Sequence, residues 1–484
     1  MRFRPKKRDG WSGSRVIGVT EPGYHMSPED FRRNGHAVID WLADYMADVE
    51  THPITPDIRP GAIRDRLPER APESPEPFGA ILADLDEIVM PGLVHWQAPG
   101  WFGYFPANGS GAGILGDLVS TGLGQQGMLW ATSPACTEIE TAVLDWLVEL
   151  LGVPAGWRTD GPGGGVIQMS ASDSTHTALV VARHRIGASA DPADLVAYAS
   201  QQAHSSVEKG ARVAGYRHLR LIDVDAVYAM DPDALEAAVA ADIAHRLTPG
   251  FVCSTVGTTG TTAVDPVGAI AGIARQHGMW HHVDAAYAGT AMILPEFRHH
   301  QDGLELVDSY VFNPHKWMFT NFDCSVFWVA DRRPLLDTLS ITPPYLRNKA
   351  TDTAKVIDYR NWHVPLGRRF RALKLWFVLR SYGAEGIRHH VQRHIEMAQR
   401  LTGRVEADRR LELVAPTTFG LVSFRHVAGD AATDAVVAAI NGSGRFHVTP
   451  SRLGERTFIR VAIGSTTTEQ RHTDALWELI DRSS

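Results

Sequence analysis

Residues 251–284 read FVCSTVGTTG TTAVDPVGAI AGIARQHGMW HHVD, and this stretch decides the fold. Phe251 to Val256 is a short apolar run rich in β-branched residues, which predicts a strand. Asp265-Pro266 predicts a helix start, with proline at the first helical position, and Gly278 predicts its end. Trp280 to Val283 predicts the next strand.

The same alternation extends in both directions. Val166–Met169 reads as a strand, followed by a helix through Ala182. Leu195–Ala199 and His218–Val224 read as strands, and Asp231-Pro232 as the cap of a helix with stripe Leu235, Val239, Ile243 and Leu247. Tyr310–Phe312 and Ser325–Val329 complete the series. Such alternation predicts an α/β domain, a mostly parallel sheet with helices on both faces. Beyond it, Leu411–Val414, Gly420–Phe424 and Thr457–Val461 read as strands between two helices, a small α+β domain.

Before the sheet, Ser27-Pro28-Glu29-Asp30 predicts a capped helix start, and Phe31, Val38, Leu42, Tyr45 and Met46 recur on one helical face. A Pro- and charge-rich stretch, His52–Pro77, precedes a second amphipathic run, Ile81–Val89. This helical arm is too thin to hold a core and is expected to pack elsewhere, for instance on a second subunit. The expected organisation is a leader (1–26), a dimerising arm (27–110), a large α/β domain (111–390) and a small C-terminal domain (391–484).

Composition bounds the function. Among 484 residues, 44% are hydrophobic and 21% charged, a globular mix. Lys plus Arg number 47 against 55 Asp plus Glu, a net charge of −8, which argues against nucleic acid or an anionic membrane as partner. No apolar run reaches the ~20 residues of a membrane span. The basic N-terminus has no apolar segment after it, so no secretory signal is expected. Cys136, Cys253 and Cys324 are odd in number and form no CxxC, so neither disulfides nor a metal site is expected, and the protein is expected to be cytoplasmic.

In open α/β sheets ligands sit beyond the carboxyl ends of the strands. After the first strand comes Ser170-Ala171-Ser172-Asp173-Ser174, small hydroxyl residues at a helix start, suited to cradle a phosphate. After the second comes Gln202-Ala203-His204-Ser205-Ser206. Asp284 follows the fifth strand, and Asn313-Pro314-His315-Lys316-Trp317 follows the sixth. A phosphate cradle, a strand-tip carboxylate, a strand-tip lysine and an aromatic ring are the parts that pyridoxal 5′-phosphate needs.

Three stretches make the pattern specific: His282-Val283-Asp284-Ala285-Ala286-Tyr287-Ala288-Gly289, Asn313-Pro314-His315-Lys316-Trp317 with Asn321-Phe322-Asp323-Cys324, and Pro365-Leu366-Gly367-Arg368-Arg369-Phe370-Arg371. With these the chain resembles, from about Ser27 to its end, the group II pyridoxal-phosphate-dependent decarboxylases that act on aromatic L-amino acids. The resemblance implies a fold-type I transferase-like architecture and a homodimer with shared active sites. It implies Lys316 as the lysine that bonds the cofactor, Asp284 as partner of the pyridinium nitrogen, and His204 and Ala286 against the ring's two faces. Ala171, Ser172, Asn313 and His315 would surround the phosphate and the cofactor linkage, and Thr259 a substrate or cofactor hydroxyl. Trp96, Tyr104, Phe105 and Pro106 would form the substrate pocket, with Gln126 and Met128 lent by the second subunit. Tyr345, before a polar, lid-like stretch Asn348–Lys355, would be the catalytic tyrosine that returns a proton at Cα. Aldehyde-forming relatives carry phenylalanine there.

Gly367 matches a position where relatives acting on indolic substrates carry glycine, and the pocket positions offer no cation for a glutamate side chain. An aromatic substrate is therefore expected: tryptophan, 5-hydroxytryptophan, DOPA, tyrosine or phenylalanine. An aldehyde synthase or a histidine decarboxylase remain alternatives within the family. Outside it stands an NAD-dependent oxidoreductase using Gly111-Ala112-Gly113-Ile114-Leu115-Gly116. That pattern lacks a preceding strand and a matching acid, and reads better as a closely packed helix start. His390 and His394, four apart on a helix, read as a solvated face.

Overall fold

The computed structural model describes residues 24–187, 191–341 and 356–484. They fall into two compact units: Asp57–Leu93 with the residues up to Asp48, and Val49–Pro56 with Val94–Ser484. In the smaller unit Ser27 caps the helix Pro28–Asp48, its Oγ accepting from the Asp30 amide at 3.1 Å. Trp41 Nε1 donates to Asp86 at 3.0 Å, tying this helix to the second amphipathic run. No residue of the helix is buried, and Phe31 is 63% exposed.

The larger unit is built on a seven-stranded sheet of β1 (Gly164–Gln168), β2 (Leu195–Ser200), β3 (His218–Ile222), β4 (Thr248–Thr255), β5 (Trp280–Asp284), β6 (Ser309–Phe312) and β7 (Ser325–Val329). Their order is β1-β7-β6-β5-β4-β2-β3. β3, β2, β4, β5 and β6 run parallel, whereas β7 lies antiparallel between β6 and β1. Every residue of β1, β2, β5, β6 and β7 is buried, because helices cover both faces; these strands accordingly read as continuous apolar runs. Asp284 pairs with Val311 across β5 and β6 and with Thr255 across β4 and β5, so three strand ends meet at one place.

Two local expectations are corrected. The helix after Asp231 ends at Ala244, Arg246 taking a positive φ of 64°, so Leu247 lies beyond it and Ile243 points outward, 45% exposed. Asp265 does not cap the next helix, Val267–Gln276. Its carboxylate turns inward and accepts from the amides of Met230 and Thr255, both at 2.7 Å, fixing the end of β4. Burial pushes its pKa up to about 7.

The C-terminal part carries a four-stranded antiparallel sheet of β8 (Leu411–Leu413), β9 (Leu421–His426), β10 (Thr449–Leu453) and β11 (Arg456–Ala462), in the order β10-β11-β9-β8. β10 is absent from the sequence reading because Pro450 interrupts it. As an edge strand it tolerates a proline whose missing amide would face away from its partner. The helix Arg371–Ala407 links the two regions, with non-helical geometry at Gly383. Its residues up to Ile395 join the core of the large sheet, and those from Met397 join that of the small one.

Gly111 to Gly116 opens the helix Gly111–Leu123, whose N-cap Ser110 accepts from the Gly113 amide. A Cβ on Gly116 would meet the Lys374 Cα at 2.7 Å, so glycine permits two helix backbones to touch. Gly116→Val is expected to cost about 1–3 kcal/mol from overpacking, read as a lower denaturation midpoint. His394 is not on a solvated face. It is buried, accepts a hydrogen bond from Trp317 Nε1 at 3.0 Å, and is pushed down to about 3 by loss of water. Among the described residues no helix is long and apolar enough to cross a membrane, and no group of metal-binding side chains gathers.

Candidate active site

The carboxyl ends of β1, β2, β4, β5 and β6 surround a cavity of about 170 Å³, lined by Ser170, Ala171, Ser172, His204, Thr255, Gly257, Thr259, Asp284, Ala286, Asn313, His315 and Lys316, with Phe105 and Tyr287. Each lining residue has a local cause. Ser170 caps the sixteen-residue helix Ala171–Ile186, its Oγ accepting from the Asp173 amide, so the free amides and positive dipole end of that helix face the cavity. Asp284 ends β5, where its Oδ1 accepts from the Ala286 amide at 3.0 Å. The chain then leaves β6 through Asn313 into a short turn of helix, Pro314–Trp317, which delivers Lys316.

Hydrogen bonds fix the orientation of the polar groups. Ser325 Oγ donates to Asn313 Oδ1 at 2.7 Å, leaving the amide N–H2 of Asn313 available to the cavity. The Cys324 amide donates to His315 Nδ1 at 2.9 Å, so the other ring nitrogen carries the proton. Burial pushes His315 down to about 3, which keeps it neutral. His204 is arranged alike: the Ser206 amide donates to its Nδ1 at 3.1 Å, and Nε2 keeps the N–H. Protein crowding the His204 ring lowers its pKa, opposed by the negative charge of Asp284.

Lys316 is the electrostatic centre. Withdrawal from water lowers its pKa below the usual lysine value, the Asp284 carboxylate raises it, and the Arg460 guanidinium lowers it further. These opposing effects mark the three groups as near neighbours. Two buried hydroxyls are left without a partner among the lining residues: Thr255 Oγ1, beside Asp284, and the Tyr287 OH. A helix N-terminus with neutral donors at one side, a carboxylate and an orphan hydroxyl at another, and an amine between them fit a flat, phosphorylated, nitrogen-containing ring.

The remaining expected residues divide. Phe105 lines the cavity and stacks on Tyr287 at 3.9 Å, with Lys316 Nζ 5.4 Å from its ring centre. Pro106 sits behind it against Gly464. Trp96 and Tyr104 stack on each other at 5.5 Å, next to Trp101 and His447, and do not reach this cavity. Gln126, Met128 and Gly367 form a separate group. Gln126 Oε1 accepts from the Arg368 amide at 2.6 Å, Met128 O accepts from the Arg360 amide at 3.0 Å, and Gly367 lies against the Gln126 amide. None of the three lines the cavity of its own chain. Tyr345 and Asn348–Lys355 lie outside the described residues.

Sequence reasoning missed Thr255, Gly257 and Tyr287 in the lining, and Arg460 behind it. The Arg460 guanidinium lies 5.1 Å from the Phe105 ring centre without lining the cavity, and its Nε and Nη2 donate to backbone carbonyls.

Comparison with known proteins agrees with this geometry. Residues 60–427 match the pyridoxal-dependent decarboxylase conserved domain. The chain is 42% identical to a tyrosine decarboxylase of Papaver somniferum, over 94% of each chain. It is 41% identical to a phenylacetaldehyde synthase of Arabidopsis thaliana, over 95% of this chain and 96% of that one. The solved structure of an Oryza sativa TDC with PLP and tryptamine superposes with a TM-score of 0.93 at 39% identity, covering 96% of this chain and 99% of the other. Matched along most of its length by the domain, by full-length relatives and by a solved fold, the chain belongs to the pyridoxal-dependent decarboxylase family.

Proposed function

We propose that this enzyme, a pyridoxal 5′-phosphate-dependent carboxy-lyase acting on aromatic L-amino acids, releases the corresponding amine together with CO2. The observation that carries the reading is one cavity in which Lys316, Asp284 and His204 meet the N-terminus of the helix Ala171–Ile186.

When bound, the cofactor supplies an aldehyde to hold the amino acid and a ring that accepts the electrons of the broken bond. The chain does the rest. Ala171 and Ser172 at the helix N-terminus, with Asn313 and His315, would hold the phosphate. The lowered pKa of Lys316 keeps more of its amine in the free, nucleophilic form. Asp284 would hold a proton at the ring nitrogen, and His204 would offer its Nε2–H to the ring. Ala286 is small enough that a flat group would fit against it. Thr259 stands at the rim for a hydroxyl, and Phe105 supplies an apolar wall for an arene. Tyr345, by its place in the sequence, delivers the proton to Cα and so makes the product an amine and not an aldehyde.

Two surfaces support a homodimer. The helix Gly111–Leu123 exposes Leu115, Leu118, Val119 and Leu123, a large apolar stripe on one of its sides, and the helix Pro28–Asp48 exposes Phe31 and Met46 of its apolar face. Gln126, Met128 and Gly367, remote from the cavity of their own chain, would then serve the active site of the second copy. An active monomer in a sizing experiment would defeat this. The buried, unpaired cysteines suit the reducing cytoplasm, where we place the enzyme.

The decisive experiment measures CO2 release and product identity across tryptophan, 5-hydroxytryptophan, DOPA, tyrosine, phenylalanine and histidine. Turnover of one or more of the aromatic substrates to its amine is expected. Stoichiometric hydrogen peroxide and ammonia would replace the amine assignment with an aldehyde synthase, and turnover of histidine alone would make it a histidine decarboxylase.

A further inference from the structure

Arg460 is a buried cation without an acid. It sits within β11, is 3% exposed, and forms no ion pair among the described residues. Taking a guanidinium out of water without an anion is costly, so its place calls for a compensating role. Its Nε donates to Gly260 O at 3.3 Å and its Nη2 to Tyr104 O at 3.1 Å. Gly260 follows Thr259 and Tyr104 precedes Phe105, so one side chain grips the backbone beside two residues of the cavity wall. Ser423 Oγ, from the neighbouring strand, reinforces the grip by donating to Gly260 O at 3.3 Å. The guanidinium carbon lies 5.1 Å and Lys316 Nζ 5.4 Å from the same Phe105 ring centre.

We propose that Arg460 is a positioning residue for the decarboxylation, fastening the Phe105 and Thr259 walls to one strand and setting its charge near the Lys316 amine. This rests on the reaction proposed above and deepens it. The neighbours of Lys316 sort by effect. Asp284 favours the protonated amine and Arg460 opposes it, while His315 beside it and His204 across the cavity are neutral. The Arg460 pKa is lowered by burial only to about 10, so it remains charged at neutral pH.

The test uses the full-length holoenzyme and its cofactor-stripped form, with Arg460→Lys and Arg460→Met. Arg460→Lys keeps the charge and loses the two-carbonyl grip. It should raise KM for the preferred aromatic amino acid about 10- to 100-fold, with kcat less affected, and leave unchanged the pH dependence of pyridoxal phosphate uptake. Arg460→Met loses both. It should raise KM similarly and also shift the uptake profile to higher pH, because the Lys316 amine then holds its proton more firmly. Unchanged KM in both variants, with only the melting temperature lowered, would overturn the proposal, as would an identical uptake profile in Arg460→Met. If Arg460→Met does not fold, the KM of Arg460→Lys decides alone. Uptake requires no turnover, so a wild-type enzyme that bound cofactor but released no CO2 would sink the reaction assignment and leave this measurement readable.

Discussion

Lys316→Ala is expected to abolish turnover, with kcat falling by about 10⁴-fold or more, while the folded protein survives. Lys316 lines the cavity, so trimming its side chain enlarges a space that already exists. Its replacement removes an amine whose pKa is lowered by lost hydration and raised by the Asp284 carboxylate. The phosphate cradle of Ala171, Ser172, Asn313 and His315 remains, so pyridoxal phosphate should still bind, but reversibly and without the absorbance of the lysine-linked form. Dialysis separates the outcomes: wild-type protein retains its colour and the variant loses it. A variant that kept both its colour and measurable turnover would show that a different amine serves.

Tyr345→Phe is expected to leave cofactor and substrate binding intact while amine formation falls by about 10²–10⁴-fold, the usual size of a lost general acid. Without the phenol, Cα no longer receives its proton promptly, and carbon that has lost CO2 becomes open to oxygen. Aldehyde, ammonia and hydrogen peroxide should therefore rise as amine falls. Amine turnover at the wild-type rate would assign the proton to a different group, with the neutral His204, its Nε2–H free, as the first to examine.

Much of the site was legible because sheet geometry turns sequence order into position. Asp284 and Lys316 lie 32 residues apart, yet each directly follows an apolar run, and the strand ends bring them together. Arg460 escaped notice because Thr457–Val461 was read only as an apolar strand. An arginine set inside the otherwise apolar run Phe458–Ile463 was the available signal. His394 escaped because helical spacing defines a face but not what covers that face. Gln126, Met128 and Gly367 share a place in the chain's fold without sharing its cavity, and no spacing argument separates those two situations. The edge strand β10 was hidden by a proline that only an edge permits.

Because β5 and β6 are hydrogen-bonded neighbours, the gap between the tips that carry Asp284 and Lys316 is set by inter-strand spacing, about 4.8 Å per step, and not by the peptide connecting them. That connection passes through Pro295 and Glu296, both at the surface. Natural variants or engineered grafts could lengthen the chain there, adding a recognition hairpin or a reporter domain, without retuning the chemistry at the strand tips.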